Sequence, residues 1–169
     1  MTGEKVIQNN SFSSNDKIVE EAARLAKELH LGQTDKAGID YFRSHLTTVS
    51  KAGADWKERV VGYLHDVAED TTCSVEQVMQ MLKQRCGDLL QKEDVKDIEM
   101  ALELLNSQTA LSREVYIARF KHSKLACQVK LNDLIHNMDL SRIPHPTAKD
   151  FARIERYKKE YLQVKGYLE

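Results

Sequence analysis

The sequence predicts an all-α protein, a single-domain bundle of about eight helices. Three observations predict it. Glycine and proline are scarce, at 7 and 2 of 169 residues, and both prolines, Pro144 and Pro146, fall in one short stretch. The rest of the chain is therefore open to uninterrupted helices. Apolar residues return every three or four positions in one segment after another, the period of a helix with one buried face. The β-branched runs that strands prefer are hard to find.

The elements follow in order. After a polar lead-in over 1–14, Asn15 caps a helix with Ile18, Val19, Ala22, Leu25, Ala26 and Leu29 on one face, ending near Gly32. The polar stretch 32–40 reads as a loop, and Phe42, Leu46 and Val49 mark a second helix over 41–52, stopped by Gly53. Asp55 caps a third over 56–69 through Val60, Val61, Leu64, Val67 and Ala68. Ser74 and Gln77 have the spacing of a capping box and open a fourth, which stops before Gly87. A fifth spans 95–105, and Ser112 caps a sixth over 115–120. The seventh, over 124–140, is strongly apolar through Leu125, Val129, Leu131, Leu134, Ile135 and Met138. Thr147 caps a last, charged helix ending near Leu168. No repeat, low-complexity segment or linker interrupts the chain, so residues 1–169 read as one domain.

Composition excludes several classes. With 25 basic and 26 acidic side chains the net charge is −1, which lacks the basic surplus that a nucleic-acid polymer requires. A small anionic ligand stays open, because a few cations aimed into one pocket barely move that total. Cys73, Cys86 and Cys127 are widely spaced, contain no C-x-x-C, and read as buried reduced thiols. The N-terminal stretch has no apolar core and no run approaches membrane-spanning length, so a cytoplasmic protein with no membrane partner is expected.

Three clusters could carry chemistry. His65-Asp66 is followed by Glu69-Asp70 in an otherwise apolar helix, where i, i+1, i+4 and i+5 share one stripe. Three carboxylates and an imidazole on one stripe repel each other and are costly to desolvate unless a cation lies among them. An acidic helix end simply solvated is the alternative. Lys130, Asp133 and Asn137 likewise share a face of the most apolar helix, as a helical salt bridge or as the other half of a buried site. The loop bearing Gly32, Lys36 and Gly38, with His45 beyond it, reads as a phosphate cradle or as an ordinary surface turn. In the last helix Lys149, Arg153, Arg156, Lys158 and Lys159 interleave with acids and read as a solvated face, and Arg142 is the better phosphate contact.

Together these segments read His30-x-Gly32-Gln33, Lys36-x-Gly38-x-x-Tyr41, His45, His65-Asp66-x-x-Glu69-Asp70-Thr71 and Lys130-Leu131-x-Asp133-x-x-His136-Asn137-Met138. Over about residues 17–140 this order resembles the hydrolase domain of the RelA/SpoT alarmone enzymes and the small alarmone hydrolases. The resemblance implies an HD-type helical bundle and a divalent metal, usually manganese, on His45, His65, Asp66 and Asp133. It implies that Glu69 and Asp70 position or deprotonate the attacking water, with Lys36, Lys130 and Asn137 near the nucleotide. Mixed imidazole and carboxylate ligation suits such a metal.

Four departures stand out. Asp35 occupies the place of an arginine that lies against the base, and Leu134 that of a second arginine. Leu46 replaces a proline, and Tyr41 to His45 spans four residues instead of three. The expected activity is removal of the 3′-pyrophosphate from a (p)ppGpp-type nucleotide. The alternatives are the same chemistry on another nucleotide (a nucleoside monophosphate or a phosphorylated dinucleotide), or a nucleotide-sensing HD module without catalysis. A homo-oligomer is left open.

Overall fold

The computed structural model describes residues 13–169; the lead-in expected over 1–14 lies, but for its last two residues, outside them. Helix α1 (Ser14–Leu29) starts two residues earlier than expected, because Ser13 and Asp16 form a reciprocal capping box that Asn15 would not. Its buried face is Ile18, Val19, Ala22, Leu25 and Ala26. Gly32, at φ +83°, turns the chain into the loop, which a single bridge between Thr34 and Asp40 closes.

The segment after the loop is helical, but it opens with a π-turn over Phe42–Leu46 before α2 (Thr47–Lys51). The Thr47 N–H reaches back five residues to the Phe42 carbonyl, and the Thr47 hydroxyl donates to the same oxygen at 2.7 Å. Asp55 caps α3 (Trp56–Leu64) through the Glu58 amide.

The single helix expected over 56–69 is interrupted. α3 ends at Leu64, and a separate turn, α4 (Val67–Asp70), follows. In an unbroken helix the Gly62 carbonyl would bond the Asp66 amide. Here it accepts from His65 Nδ1 at 2.9 Å.

Helix α5 (Val75–Cys86) has the Ser74–Gln77 capping box and stops at Gly87, φ +53°. Helix α6 (Lys92–Leu105) begins three residues before the expected start. Ser112 caps α7 (Arg113–Ala118), which tightens into a 3₁₀ turn over Arg119–His122. Ser123 caps α8 (Lys124–Met138), and a 3₁₀ turn over Leu140–Arg142 leads toward α9 (Ala148–Lys165). Asp150 accepts from both the amide and the hydroxyl of Thr147 at the start of α9.

The result is the all-α bundle expected. Nine α-helical segments occur among the described residues, and taking α3 and α4 as one interrupted rod gives the eight anticipated. Helix α8 is central, packed by α2, α3, α6 and α9. It is buried on most of its circumference, at Ala126, Cys127, Val129, Leu131 and Leu134 and also at Lys130, Asp133 and His136. Ile135, expected on its apolar side, is 52% exposed.

Helices α2 and α3 approach closely at Gly62, where an added Cβ would lie 2.7 Å from Ser50 Cα. One continuous apolar cluster runs from Ile18 to Val164. Cys86 and Cys127 are buried as expected, whereas Cys73 is only half-buried. No helix among the described residues is long and apolar enough to cross a membrane.

Candidate metal centre and adjoining pocket

The interruptions fall at the residues of interest. His45 sits in the π-turn, His65 and Asp66 in the break between α3 and α4, and Asp133 in the middle of α8. The extra residue between Tyr41 and His45 is absorbed by the π-turn, whose wider circuit keeps the pair on one side. Their rings lie 5.2 Å apart, and the Tyr41 hydroxyl donates to Asp66 Oδ2 at 2.6 Å.

His45 Nε2 and His65 Nε2 approach to 3.3 Å. Asp66 Oδ2 lies 3.3 Å from the first and 3.1 Å from the second. Asp133 Oδ1 lies 3.3 Å and 3.8 Å from the same two atoms. Donor atoms of His45, His65 and Asp133 all fall within 4.8 Å of one another, and all three residues are buried, so this group could hold a metal ion. Asp66 adjoins it through Oδ2.

The donor chemistry fits a cation. A carbonyl only accepts, so His65 Nδ1 carries a proton toward Gly62 and the neutral ring aims the Nε2 lone pair inward. His45 Nδ1 is occupied by His136 Nδ1 at 2.7 Å, which leaves its Nε2 facing the same point. Two imidazole nitrogens and two carboxylates thus converge where a positive charge is required. Burial opposes charge on His45 and His65, yet Asp66 and Asp133 raise both imidazoles above their ordinary value. Burial would raise the Asp66 and Asp133 carboxyls, but the two histidines, together with Lys130 for Asp133, hold both well below the carboxylate range.

The cluster on α8 joins the site. Lys130 Nζ donates to Asp133 Oδ2 at 2.7 Å, and Asn137 Nδ2 donates to Oδ1. Lys130 is buried over the Tyr116 ring, 5.2 Å from its centre. Salt bridge and shared site are here the same thing.

Glu69 and Asp70 are brought to the edge of the same chamber by the turn α4. The Ser107 amide donates to Glu69 Oε1, and Gln108 Nε2 donates to the Glu69 carbonyl at 3.0 Å. Arg119 staples that loop by donating to the Leu104 and Asn106 carbonyls and to Thr109 Oγ1. On the other side Gln33, itself bonded to His30 Nδ1, donates to the Asp70 carbonyl at 2.8 Å. Burial, then the charges of Asp66 and Glu69, raise the Asp70 carboxyl above its ordinary value. The helix is interrupted at 65–66, yet His65, Asp66, Glu69 and Asp70 stay on one side of it. They meet around one chamber.

Two chambers adjoin, sharing Tyr41, His45, Asn137 and Tyr157. The inner one, about 160 Å³, contains the residues above together with Arg113. The outer one, about 270 Å³, is lined by Asp35, Lys36, Arg142 and Arg153. Lys36 stands at its rim, 59% exposed and 3.2 Å from Asp150. Arg142 pairs with Asp35 at 3.0 Å and donates to the His136 carbonyl at 2.9 Å.

Burial would raise the Asp35 carboxyl, but bonds from Ser44, Ile39, Arg142 and Ala37 hold it at about 2. Leu134 and Leu46, the other departures, are fully buried in the core.

Several lining residues were not anticipated. Arg113 makes a fork-to-fork pair with buried Glu160 of α9, at 2.8 and 2.7 Å, and stacks over Tyr116. Tyr116 and Tyr157 also line the inner chamber. Arg153, expected on a solvated face, turns inward to the outer chamber, whereas Lys158 and Lys159 are exposed as expected. Only the burial of the neighbouring acids Asp150 and Glu160 distinguishes these positions, and a charge-mixed helix does not reveal burial.

No family model matches the chain. It is similar to a guanosine-3′,5′-bis(diphosphate) 3′-pyrophosphohydrolase of Borreliella burgdorferi, 26% identical over 133 residues, which is 76% of this chain and 20% of that protein. A GTP pyrophosphokinase of Streptomyces coelicolor is 29% identical over 129 residues, 73% of this chain and 15% of that protein. A probable guanosine-3′,5′-bis(diphosphate) 3′-pyrophosphohydrolase of Synechocystis is 29% identical over 117 residues, 67% and 15% of the two chains. This chain therefore spans a fifth or less of the length of these relatives. The resemblance to the RelA/SpoT hydrolase domain, first read from motifs, is carried by these homologues.

Proposed function

We propose that the protein is a metal-dependent nucleotide phosphohydrolase that removes the 3′-pyrophosphate of a (p)ppGpp-type alarmone. One observation carries the reading: donor atoms of buried His45, His65 and Asp133 lie within 4.8 Å of one another, Asp66 Oδ2 adjoins both histidines, and Glu69 and Asp70 line the same chamber. These four would hold the cation, manganese by resemblance. When bound, it supplies Lewis acidity to the phosphoryl group and to water.

The chain's own groups do the rest. Lys130 and Arg113 bring positive charge to the inner chamber, and Lys36 and Arg142 bring it to the outer one. The pyrophosphate sits in the first and the nucleoside in the second, with Asn137 at the passage between them. Glu69, anchored through one carboxylate oxygen by the Ser107 amide, takes a proton from the attacking water with the other. The water oxygen bonds to phosphorus, the bond from phosphorus to the 3′-oxygen breaks, and a proton from Asp70 restores the 3′-hydroxyl.

Asp35 and Leu134 favour a second reading of the substrate alone. Where the resemblance has two arginines, this chain offers a satisfied carboxylate and a core leucine, which weakens the case for the guanosine alarmone among nucleotides. A panel of nucleotides incubated with purified protein and Mn²⁺ tests both. Pyrophosphate released from the alarmone supports the first reading. Phosphate released only from ordinary nucleotides supports the second, and no turnover with any nucleotide overturns the hydrolase itself.

A further inference from the structure

The Arg142 guanidinium, tied up by Asp35 and His136, closes a ring of hydrogen bonds behind His45. Ser44 Oγ donates to Asp35 Oδ2 at 2.7 Å, and Arg142 Nη2 donates to the same oxygen at 3.0 Å. Arg142 Nη1 meets His136 Nδ1 at 3.0 Å, and His45 Nδ1 meets that nitrogen at 2.7 Å. Ser44 and His45 are consecutive, so the circuit is complete. Asp35 Oδ1 is occupied as well, by the Ala37 and Ile39 amides at 2.9 and 3.0 Å. The Asp35 and His45 side chains are 4% and 3% exposed.

A guanidinium only donates, so His136 Nδ1 faces Arg142 as an acceptor, its one lone pair shared between Arg142 Nη1 and His45 Nδ1. In that arrangement His45 Nδ1 carries the proton, and Nε2 faces His65, Asp66 and Asp133. The ring also pins the π-turn at two consecutive residues, through the Ser44 hydroxyl and through the His45 imidazole.

We propose that Arg142 and Asp35 are positioning residues for His45. Their ring selects the imidazole tautomer able to bind a metal and holds the π-turn that brings an otherwise misplaced histidine into the site. Asp35 is then an anchor for Arg142 and reads no base, since both its oxygens are satisfied internally. This inference rests on the metal-site reading above.

Titration calorimetry with Mn²⁺ alone, without nucleotide, tests it on the full chain and on Arg142→Ala, Arg142→Lys and Asp35→Asn, each checked for fold by circular dichroism. Loss of a group that orients a metal ligand weakens metal binding about 10–100-fold, and that loss is expected in all three variants. Arg142→Lys keeps the charge beside the outer chamber but loses the planar fork that spans two partners. Excess Mn²⁺ is expected to restore the turnover of Asp35→Asn.

Arg142→Lys binding Mn²⁺ like the parent protein overturns the proposal and leaves Arg142 as a phosphate contact. A parent protein that binds no Mn²⁺ overturns the metal-site reading, and the proposal falls with it. Should Arg142→Ala fail to fold, Asp35→Asn and Arg142→Lys decide alone.

Discussion

Gly62→Ala is the sharpest single test of how the fold makes the site, although Gly62 touches neither substrate nor metal. Its added methyl would meet the α2 backbone at 2.7 Å from Ser50 Cα, 2.9 Å from Ser50 N and 3.2 Å from the Val49 carbonyl carbon. Ordinary contact begins at 3.4 Å, so α2 and α3 must part by about 0.7 Å. Overpacking of this kind costs about 1–3 kcal/mol. For a chain of this length that lowers the thermal midpoint by about 2–12 °C.

The same movement separates the two histidine Nε2 atoms, now 3.3 Å apart, because one follows α2 and the other follows α3. A displacement beyond about 0.5 Å exceeds what a preorganised ligand set tolerates, so Mn²⁺ affinity should fall about tenfold or more. Scanning calorimetry and Mn²⁺ titration measure the two effects. Gly166→Ala is the control, since its nearest neighbours there are helix carbonyls at 3.4 and 3.5 Å, and it should change neither quantity. A Gly62→Ala protein with the parent midpoint and the parent affinity would refute the reasoning.

Three further predictions concern the site itself. Asp66→Ala should abolish both Mn²⁺ binding and turnover, whereas Glu69→Ala should keep the metal and lose about 10²–10⁴-fold in turnover; full activity in Glu69→Ala would remove its proton-accepting role. Metal affinity should rise with pH through the raised pKa values of His45 and His65, above the ordinary 6.5, because a proton on either Nε2 competes with the cation. Calorimetry in buffers of different ionisation enthalpy counts the protons released, and none released near neutral pH would contradict the assignment. Asp70 has a raised carboxyl in the fold, so its ionisation opposes folding; the cost is absent below the ordinary 3.8 and complete above the raised value. Asp70→Asn should therefore raise the metal-free thermal midpoint at neutral pH while lowering turnover, and a lower midpoint would reverse that reading.

Most of the fold was legible locally, because helix period and caps are properties of a few neighbouring residues. Ser74 with Gln77, Ser112 and Thr147 stand where the sequence placed them. The failures have local causes that a periodicity cannot show. At 65–66 an imidazole took the carbonyl that the helix needed, and at 42–46 an inserted residue was stored as a π-turn. Both irregularities bear candidate ligands, where side-chain geometry competes with regular backbone. Arg113 and Tyr157 escaped notice, and Arg153 was assigned to a solvated face, because the chambers they line are assembled from several elements.

The sequence by itself determined that the chain is helical, where most helices begin, and which polar residues are too costly to bury alone. Residue type, spacing and desolvation decide those matters without tertiary contacts. Only the tertiary structure decided that His45 reaches His65, that Arg142 ties to Asp35, and that α2 can approach α3 closely enough at Gly62. Those depend on distances between segments far apart in the chain, and side chains packed to within an ångström set them.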